Sequence, residues 1–499
     1  MPSTEKQPLR HPSLGLFLGN GRPIAAACFG VLCSFFFLVS SARAETKLDI
    51  GSEYRIRGVQ MSNPTYASEA TPGYVVGLNT VPVYGTASDQ NYYSQRARVY
   101  MKARFDSGIE VGTVLQAIGV AGSTQSMIGR YPKEDFTPFI ENAYIQANEM
   151  FDWPVNLTLG RQPYKWGSGM LIDDDDLGFN AIRLDAGPFW GLRTHLFTAK
   201  AKEQIQAGDH DLHLAGLSYS WGIHNIKLGW IMDQDNSGSR YTSLSTASAV
   251  SQYIRRQYID FQVGGRLEKG AFYSAEYAFQ MGRTRLPTAN PQGDAATQEI
   301  SMSGSALTFE GGFDFVHPRY KRMILTFVFM QGSGDKSETP DQDEKFNAPF
   351  GHKYDGFERS GRGEFFAATP YSFFNEDRLL VLHTGETQTS DTVRRAPYPY
   401  TSLFSGLRTF GFKGSVNPLT GMTAGLEFYI FTAIETPDTG RNAPTTVPDN
   451  ELGRELIITA NYNYAKRIDF GIRWGKFFPA KNLNNIGSSR IMLEAKARF

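Results

Sequence analysis

The last ten residues of the chain, RIMLEAKARF from Arg490 to Phe499, decide the fold class. Apolar side chains occupy the odd positions Ile491, Leu493, Ala495, Ala497 and Phe499. Charged side chains occupy the even positions Arg490, Glu494, Lys496 and Arg498. Because successive side chains of a β-strand point to opposite faces, this period of two indicates a strand with one apolar and one charged face.

The same alternation recurs along most of the chain, for example at 47–57, 96–105 and 468–475. Tight connections such as 106–108 alternate with long ones such as 59–91. The pattern predicts 18 strands, at 46–58, 92–105, 109–118, 138–148, 154–162, 179–185, 191–200, 211–221, 225–233, 255–266, 271–281, 303–315, 322–331, 402–414, 422–432, 455–464, 467–476 and 490–499. Segment 402–414 mixes Arg408 with phenylalanines, so its two faces are not assigned.

Long loops on one side, tight turns on the other and an even strand number are typical of outer-membrane barrels. Most segments have about 9–13 residues, which suits a tilted crossing of the hydrocarbon layer. We therefore predict an all-β fold, a transmembrane antiparallel β-barrel in the outer membrane of a Gram-negative bacterium, in contact with its lipid. One or two soluble β-domains are the alternative. Phe499 fits the C-terminal signal that the outer-membrane assembly machinery reads.

Residues 1–44 are predicted to be a cleaved signal peptide. Arg10 and Arg22 precede an apolar run, IAAACFGVLCSFFFLV, and Ala42-Arg43-Ala44 forms a small-residue cleavage site. The run is short for a membrane-spanning helix of about 20 residues. The mature barrel would then be residues 45–499, without either of the two cysteines of the chain.

The composition excludes several classes of protein. Fifty basic and fifty acidic residues balance, so no bulk charge favours nucleic acid. Aromatic residues are abundant, with 24 Tyr, 36 Phe and 6 Trp, which argues against a disordered charged chain. Two cysteines cannot build a disulfide scaffold or a zinc–thiolate module.

Three stretches of sequence resemble the alginate-export family of outer-membrane barrels. They are LTLGRQ at 157–162 followed by NAIRLD at 180–185, GSGD at 332–335 opening a long loop, and LGRE at 452–455 leading to GKFFP at 475–479. The resemblance implies an 18-stranded barrel and passage of an anionic polysaccharide through a basic pore. This sequence departs from that picture in carrying many acids on the polar face.

A barrel of about 16–18 strands leaves an aqueous channel, so residues on the polar face should line a pore. The predicted basic arc consists of Arg55, Arg57, Arg96, Arg98, Lys102, Arg104, Arg473, Lys496 and Arg498. The predicted pore-lining acids are Asp49, Glu53, Asp260, Glu276, Glu310, Glu427, Glu455, Asp469 and Glu494. The arc either guides anions or pairs with nearby acids and staples the wall, and both interpretations stay open.

The gap 332–401 is too long to be a simple connector, and it is predicted to be an extracellular loop that folds into the lumen or over the mouth. Its acids Asp335, Asp341 and Asp343 are candidate calcium ligands, because calcium prefers oxygen donors. A solvated acidic loop is the alternative. We expect no other cofactor.

The expected function is a porin-like channel for hydrophilic solutes, either anionic solutes or an exported polysaccharide such as alginate. A structural barrel with a plugged lumen and an outer-membrane hydrolase are the alternatives. No histidine lies beside a G-x-S-x-G nucleophile motif, and His210 and His213 are expected at the surface. We therefore do not expect an enzyme.

Overall fold

The computed structural model describes most of the chain from residue 46 onward. The described residues are 46–62, 74–76, 79–81, 90–121, 135–174, 176–202, 209–236, 253–289, 295–318, 321–334, 342–351, 405–435, 450–480 and 487–499. The predicted signal peptide 1–44 lies outside them, as does most of the predicted loop 332–401. The domain boundaries and the extracellular position of the loop stay predictions.

Eighteen strands form the main sheet of the described chain. They are β1 Lys47–Ser62, β2 Gln90–Arg104, β3 Ile109–Ala121, β4 Asp135–Ala147, β5 Val155–Gln162, β6 Phe179–Phe189, β7 Leu192–Lys202, β8 His210–Trp221, β9 His224–Asp235, β10 Tyr253–Arg266, β11 Ala271–Ala289, β12 Ala295–His317, β13 Lys321–Gly332, β14 Ser405–Val416, β15 Met422–Glu435, β16 Glu451–Tyr464, β17 Ile468–Pro479 and β18 Ser488–Arg498. Each predicted strand corresponds to one of these, although β11 and β12 extend well beyond the predicted 271–281 and 303–315.

The sheet is closed. Each strand pairs with the next one in sequence, and β18 returns to pair antiparallel with β1, with Arg57 opposite Glu494. Closure leaves no sheet edge whose unpaired backbone groups would have to face lipid. The prediction of an 18-stranded antiparallel barrel is therefore confirmed. A two-residue strand, Gln342–Asp343, pairs in parallel with β12 at Ser301–Met302.

The two faces of the closed sheet differ in chemistry. On β10, Arg256, Tyr258 and Asp260 are buried, whereas Ile259 and Phe261, which alternate with them, are exposed. In a closed sheet the buried face is the interior and the apolar exposed face is the outside, which suits contact with lipid. On β14, whose faces the sequence left unassigned, Thr409 is buried, and Arg408 shares the outer face with Phe410 and Phe412.

Tight turns join the strands at one end of the barrel and longer connections join them at the other. The turn between β2 and β3 closes with a hydrogen bond from the Phe105 N–H to the Ile109 carbonyl at 2.9 Å. Gly108 in that turn has a φ of 76°, a backbone conformation that glycine adopts without steric cost. Two other short connections contain 3-10 turns, Met150–Asp152 and Glu268–Gly270. No helix in the described part of the chain has the length and hydrophobicity that a membrane crossing requires.

Two connections from the long-connection end fold into the interior. The first, residues 163–174 with 176–178, contains a small hairpin of Lys165–Trp166 with Ile172–Asp173, and we call it the inner hairpin. The second, residues 342–351, we call the inner segment. They join where the Asp173 N–H donates to the Phe350 carbonyl at 2.7 Å and the Phe350 N–H donates to the Leu171 carbonyl at 3.1 Å.

The inner hairpin and the inner segment bury apolar side chains against one side of the barrel wall. Met170, Leu171 and Ile172 of the hairpin and Phe346 of the segment are fully buried. The wall contributes inward side chains of β6 to β12 to the same cluster. Burying a large apolar side chain contributes about 1.5–3 kcal/mol, so this packing holds both elements inside the barrel.

Candidate functional site: the charged interior of the barrel

The predicted basic arc lies on β1, β2, β17 and β18, which closure makes neighbours. Arg55, Arg57 and Arg96 are buried at 3%, 6% and 4% exposure and belong to the inward face. Lys102 and Arg104 lie near the turn that joins β2 to β3, and Arg104 is exposed. The alternation along each strand thus gives these basic residues one common face of the sheet.

Arg96 and Arg98 form the centre of the arc, and each contacts a wall acid and a hairpin acid. Arg96 Nη2 lies 2.9 Å from Glu53 Oε1, and Arg98 binds both oxygens of Glu141, with Nη2 at 2.6 Å and Nε at 2.8 Å. Both arginines also hold Asp176 of the inner hairpin, at 2.9 Å from Arg96 Nη1 and 2.8 Å from Arg98 Nη2. Each oxygen of Asp176 thus contacts a different guanidinium.

Six further basic residues of the arc form ion pairs with carboxylates. The further ion pairs are Arg57 with Glu494, Lys496 with Glu53 at 3.1 Å, Lys102 with Glu110 at 2.7 Å, Arg104 with Asp49 at 2.7 Å, Arg473 with Glu427 at 3.1 Å and Arg498 with Asp469 at 3.6 Å. Several predicted acids are therefore partners of the arc. Arg55 also has an interaction partner. Whether the arc acts on permeating anions stays a prediction.

The other predicted acids lie elsewhere on the inward face. Glu310 pairs with Lys413 at 3.3 Å, and Glu455 is fully buried on β16. Glu276 and Asp260 lie on the side of the wall that carries the inner hairpin. Sequence reasoning did not single out Glu141, Glu110 or Asp176 as partners of the arc, because Glu141 and Asp176 are more than 40 residues from the arginines that they bind.

A tryptophan anchors the inner hairpin to the wall. Trp166 is 3% exposed, and its Nε1–H donates to Asp260 Oδ2 at 2.7 Å. The wall makes room for the indole with Gly216 and Gly229, because a Cβ atom at either position would collide with the ring. Beside it, the Ser168 N–H donates to Glu276 Oε2 at 2.8 Å. A shift of the hairpin would therefore break two hydrogen bonds to buried acidic side chains.

Polar side chains of β10 and β11 hold the inner segment through Asn347. The Arg256 guanidinium and the Tyr258 hydroxyl donate to the Asn347 carbonyl at 3.2 and 2.5 Å, and the Asn347 N–H donates to Gln280 Oε1 at 2.8 Å. His210 is 6% exposed, within 2.6 Å of Asp233, so the expectation that it lies at the surface is wrong. The pairing of β8 with β9 places the His210 side chain on the inward face of the sheet.

Two acids of the inner hairpin have pKa values shifted in opposite directions. Burial raises the pKa of Asp174 to about 6, and the charges of Asp173 and Asp176 act in the same direction. Burial alone would raise the pKa of Asp176 as well. The guanidinium groups of Arg98 and Arg96 outweigh that influence and hold the pKa of Asp176 below its ordinary value. Asp176 is therefore a carboxylate at neutral pH.

The structure describes one of the three candidate calcium ligands. Asp343 accepts a hydrogen bond from the Lys345 N–H at 3.0 Å, whereas Asp335 and Asp341 lie outside the described residues. Within the described part of the chain, no group of three or more His, Cys, Asp or Glu side chains is arranged to hold a metal ion. Loop calcium stays a prediction.

A closed barrel with an apolar outer face, a charged interior and inward-folded connections is the architecture of outer-membrane channels of Gram-negative bacteria. A family model described as Alginate export matches residues 47–365, so the chain belongs to the alginate-export family. The resemblance seen in the sequence is thereby confirmed, and the barrel is an outer-membrane channel. Family and fold place the chain among transport proteins.

A solved structure supports the same fold. The chain is similar to the crystal structure of Acinetobacter baumannii OccAB1, with 11% identity, a TM-score of 0.51 and coverage of 92% of this chain and 99% of that one. Pseudomonas aeruginosa OccK8 (OprE) is 10% identical with a TM-score of 0.49, covering 91% of this chain and 98% of its own. A comparison with curated proteins gives no match.

Proposed function

We propose that the channel passes hydrophilic solutes that carry carboxylates, such as anionic sugars or an exported polysaccharide of the alginate type. The observation that carries the proposal is the carboxylate of Asp176 held between Arg96 and Arg98. This contact supports a carboxylate-binding position inside the barrel, at present occupied by a residue of the inner hairpin. Arginine suits such a role because its planar guanidinium binds carboxylates with strong, charge-assisted hydrogen bonds.

The wall acids and the hairpin acid have different roles in this proposal. Glu53 and Glu141 belong to β1 and β4, so they hold the two guanidinium groups in place whatever the hairpin does. Asp176 belongs to a connection and its side chain is 39% exposed, so a solute carboxylate can approach and replace it. Exchange of one carboxylate for another conserves the ion pairs, which keeps the free-energy difference between the two states small. The basic arc then has two roles: its ion pairs stabilise the barrel wall, and it binds anions.

A plugged structural barrel is the second candidate, and a specific observation favours it. The inner hairpin and the inner segment are joined to each other and packed into one apolar cluster with the wall. If they fill the interior across its whole width, the barrel carries no steady current. A permeable barrel instead keeps an open path along the arc, on the side away from that cluster.

Single-channel recording in a planar bilayer tests the proposed function. We expect steady conductance, and block by oligouronates at lower concentrations than by neutral oligosaccharides of the same length. Replacing the oligouronate with its methyl ester, which removes the charge but keeps the size, should weaken the block at least several-fold. Equal block by charged and esterified oligomers would contradict the carboxylate proposal, and absence of conductance would favour the plugged barrel.

Attachment of the inner hairpin should depend on pH. The stabilisation that comes from Asp174, whose pKa is raised to about 6, is present below the ordinary aspartate pKa of about 3.9 and lost as the pH rises through 6. The stabilisation from Asp176, whose pKa is lowered, is present above about 3.9 and lost as the pH falls through its lowered value. The hairpin should therefore be held most firmly near pH 4–5.

Current fluctuations measure this pH dependence. We expect more frequent opening events at pH 7.5 than at pH 5, because ionised Asp174 disfavours the attached hairpin. The variant Asp174→Asn cannot ionise there, so its fluctuations should change much less between these two pH values. An identical pH response of the wild type and Asp174→Asn would assign the effect to other titrating groups.

A further inference from the structure

A carboxylate, an imidazole and a hydroxyl lie in sequence across three neighbouring strands, away from the basic arc. His195 Nδ1 is 2.7 Å from Asp185 Oδ1, and His195 Nε2 is 2.9 Å from Ser218 Oγ. Asp185 is on β6, His195 on β7 and Ser218 on β8. Neither the anion-binding arc nor the anchoring of the inner segment uses these three side chains.

All three side chains belong to the inward face near the tight turns of β6–β7 and β8–β9. On β7, His195 shares its face with Phe197 and Ala199, which are buried in the interior cluster. On β8, Ser218 follows Gly216, against which the Trp166 indole packs. The three side chains are half-buried, so a molecule in the interior can reach the hydroxyl.

We propose that Ser218, His195 and Asp185 form a hydrolytic site for carboxylic esters that enter the barrel interior. A hydrolase needs a nucleophile within hydrogen-bond reach of a base, and a third group that orients the base. Asp185 accepts the Nδ1–H of His195, which leaves Nε2 free to accept the proton of the Ser218 hydroxyl. Arg183 Nε lies 2.6 Å from Asp185 Oδ2 and forms an ion pair with that carboxylate. This inference does not depend on which solute the channel passes.

The bonds and protons of the reaction balance with water as the co-reactant. Ser218 Oγ bonds to the ester carbonyl carbon while its proton passes to His195 Nε2, and the bond to the alcohol oxygen breaks as that oxygen takes the proton. Water then attacks the acyl-serine, giving a proton to His195 Nε2, and the bond to Ser218 Oγ breaks as Ser218 regains the proton. The products are one carboxylic acid and one alcohol.

Two cationic side chains belong to the strands on either side of Ser218. Arg193 on β7 and Lys227 on β9 are the register partners of Ser218, so their side chains leave the sheet on the same face as its hydroxyl. Cationic side chains can stabilise the oxyanion of a tetrahedral intermediate in place of backbone N–H groups, which the sheet already uses. The Lys227 Nζ also lies 5.4 Å from the centre of the Trp166 ring, which positions it over the interior.

A serine-reactive fluorophosphonate probe and p-nitrophenyl butyrate test the site on the full chain in detergent. The wild type should be labelled at Ser218 and should hydrolyse the ester at least about 100-fold faster than Ser218→Ala, since a positioned general base alone contributes about 10²–10⁴-fold. His195→Gln should lose a similar factor. Asp185→Asn should also slow the reaction, because the imidazole loses the partner that selects its tautomer.

Two controls separate a hydrolytic site from a merely structural network. Ser220→Ala removes a hydroxyl two residues further along the same face of β8 and should leave hydrolysis unchanged. Thr198→Val removes the hydroxyl that lies 2.8 Å from His213 on the opposite face of the same strands, and it should have no effect either. Circular dichroism and single-channel conductance of each variant report whether the barrel has folded.

The same measurements can overturn the proposal. Probe label that is absent from Ser218, or a hydrolysis rate that Ser218→Ala leaves unchanged in a folded barrel, would show that the three residues only tie strands together. Loss of hydrolysis in Ser218→Ala with intact conductance and unchanged Ser220→Ala and Thr198→Val would establish the site.

Discussion

Channels carrying Asp176→Asn are expected to select anions over cations more strongly than the wild type. The substitution removes the negative charge that lies between Arg96 and Arg98 and leaves their wall partners in place. One unit of charge at about 10 Å in water changes the energy of a monovalent ion by roughly 0.4 kcal/mol. This energy changes the preference of the channel for each ion by about twofold, and the anion-to-cation permeability ratio by about fourfold. Reversal potentials in a salt gradient measure the ratio directly.

The selectivity of Asp176→Asn can be tested further by varying the salt concentration and by comparing a matched variant. The shift should be largest in about 0.1 M salt and should shrink near 1 M, where the Debye length falls from about 10 Å to about 3 Å. Asp152→Asn removes the same charge from an exposed turn between β4 and β5, away from the arc, and should leave selectivity almost unchanged. Equal shifts in the two variants would show that Asp176 has no special position in the conduction path.

The double variant Arg96→Ser with Arg98→Ser is expected to lose anion selectivity and thermal stability together. Both arginines contact buried carboxylates, Glu53 at 7% and Glu141 at 4% exposure. Breaking a buried ion pair by removing one partner costs about 3–5 kcal/mol, because the other charge stays buried without it. Lys496 still contacts Glu53, so most of the loss should arise at Glu141. Thermal unfolding and reversal potentials measure the two effects.

A double-mutant cycle tells whether Asp176 acts through the two arginines. In the wild type, Asp176→Asn should strengthen the block by oligouronates, whereas on the background without Arg96 and Arg98 it should not, because no guanidinium pair remains to bind the solute carboxylate. Additive effects would contradict the proposed exchange of carboxylates. A drop in melting temperature with unchanged selectivity would mean that the arc only staples the wall.

The sequence predicted the barrel well because both patterns that define it can be seen in short stretches of sequence. Alternation within each strand and alternation of connection lengths are both readable without knowing any partner. The faces of 402–414 were the exception, since Arg408 shares the outer face with phenylalanines. The structure explains this placement, because Arg408 Nε donates to Gln331 Oε1 on the preceding strand, β13, at 2.9 Å.

The site was predicted only in part, because its partners come from distant strands. The arc lay on the expected face, but Asp176 reaches it through a connection that folds inward, and no local pattern signals that path. The same is true of Ser218, His195 and Asp185. They are separated by 23 and 10 residues, and they meet because the pairing of β6 with β7 and of β7 with β8 sets their register.

The seam between β1 and β18 has a consequence for how the barrel assembles. Arg57 and Glu494 are 437 positions apart, and Glu53 is contacted by Lys496 and Arg498 of the final strand. Among the strand pairs of the described sheet, none is further apart in the sequence, so this pairing carries the largest loop-closure entropy cost. Opposite charges face each other across the seam at Arg57 and Glu494 and at Glu53 and Arg498, and attraction between them lowers the free energy of the paired ends. The ion pairs thus add to the backbone ladder in joining the first and last strands of the barrel.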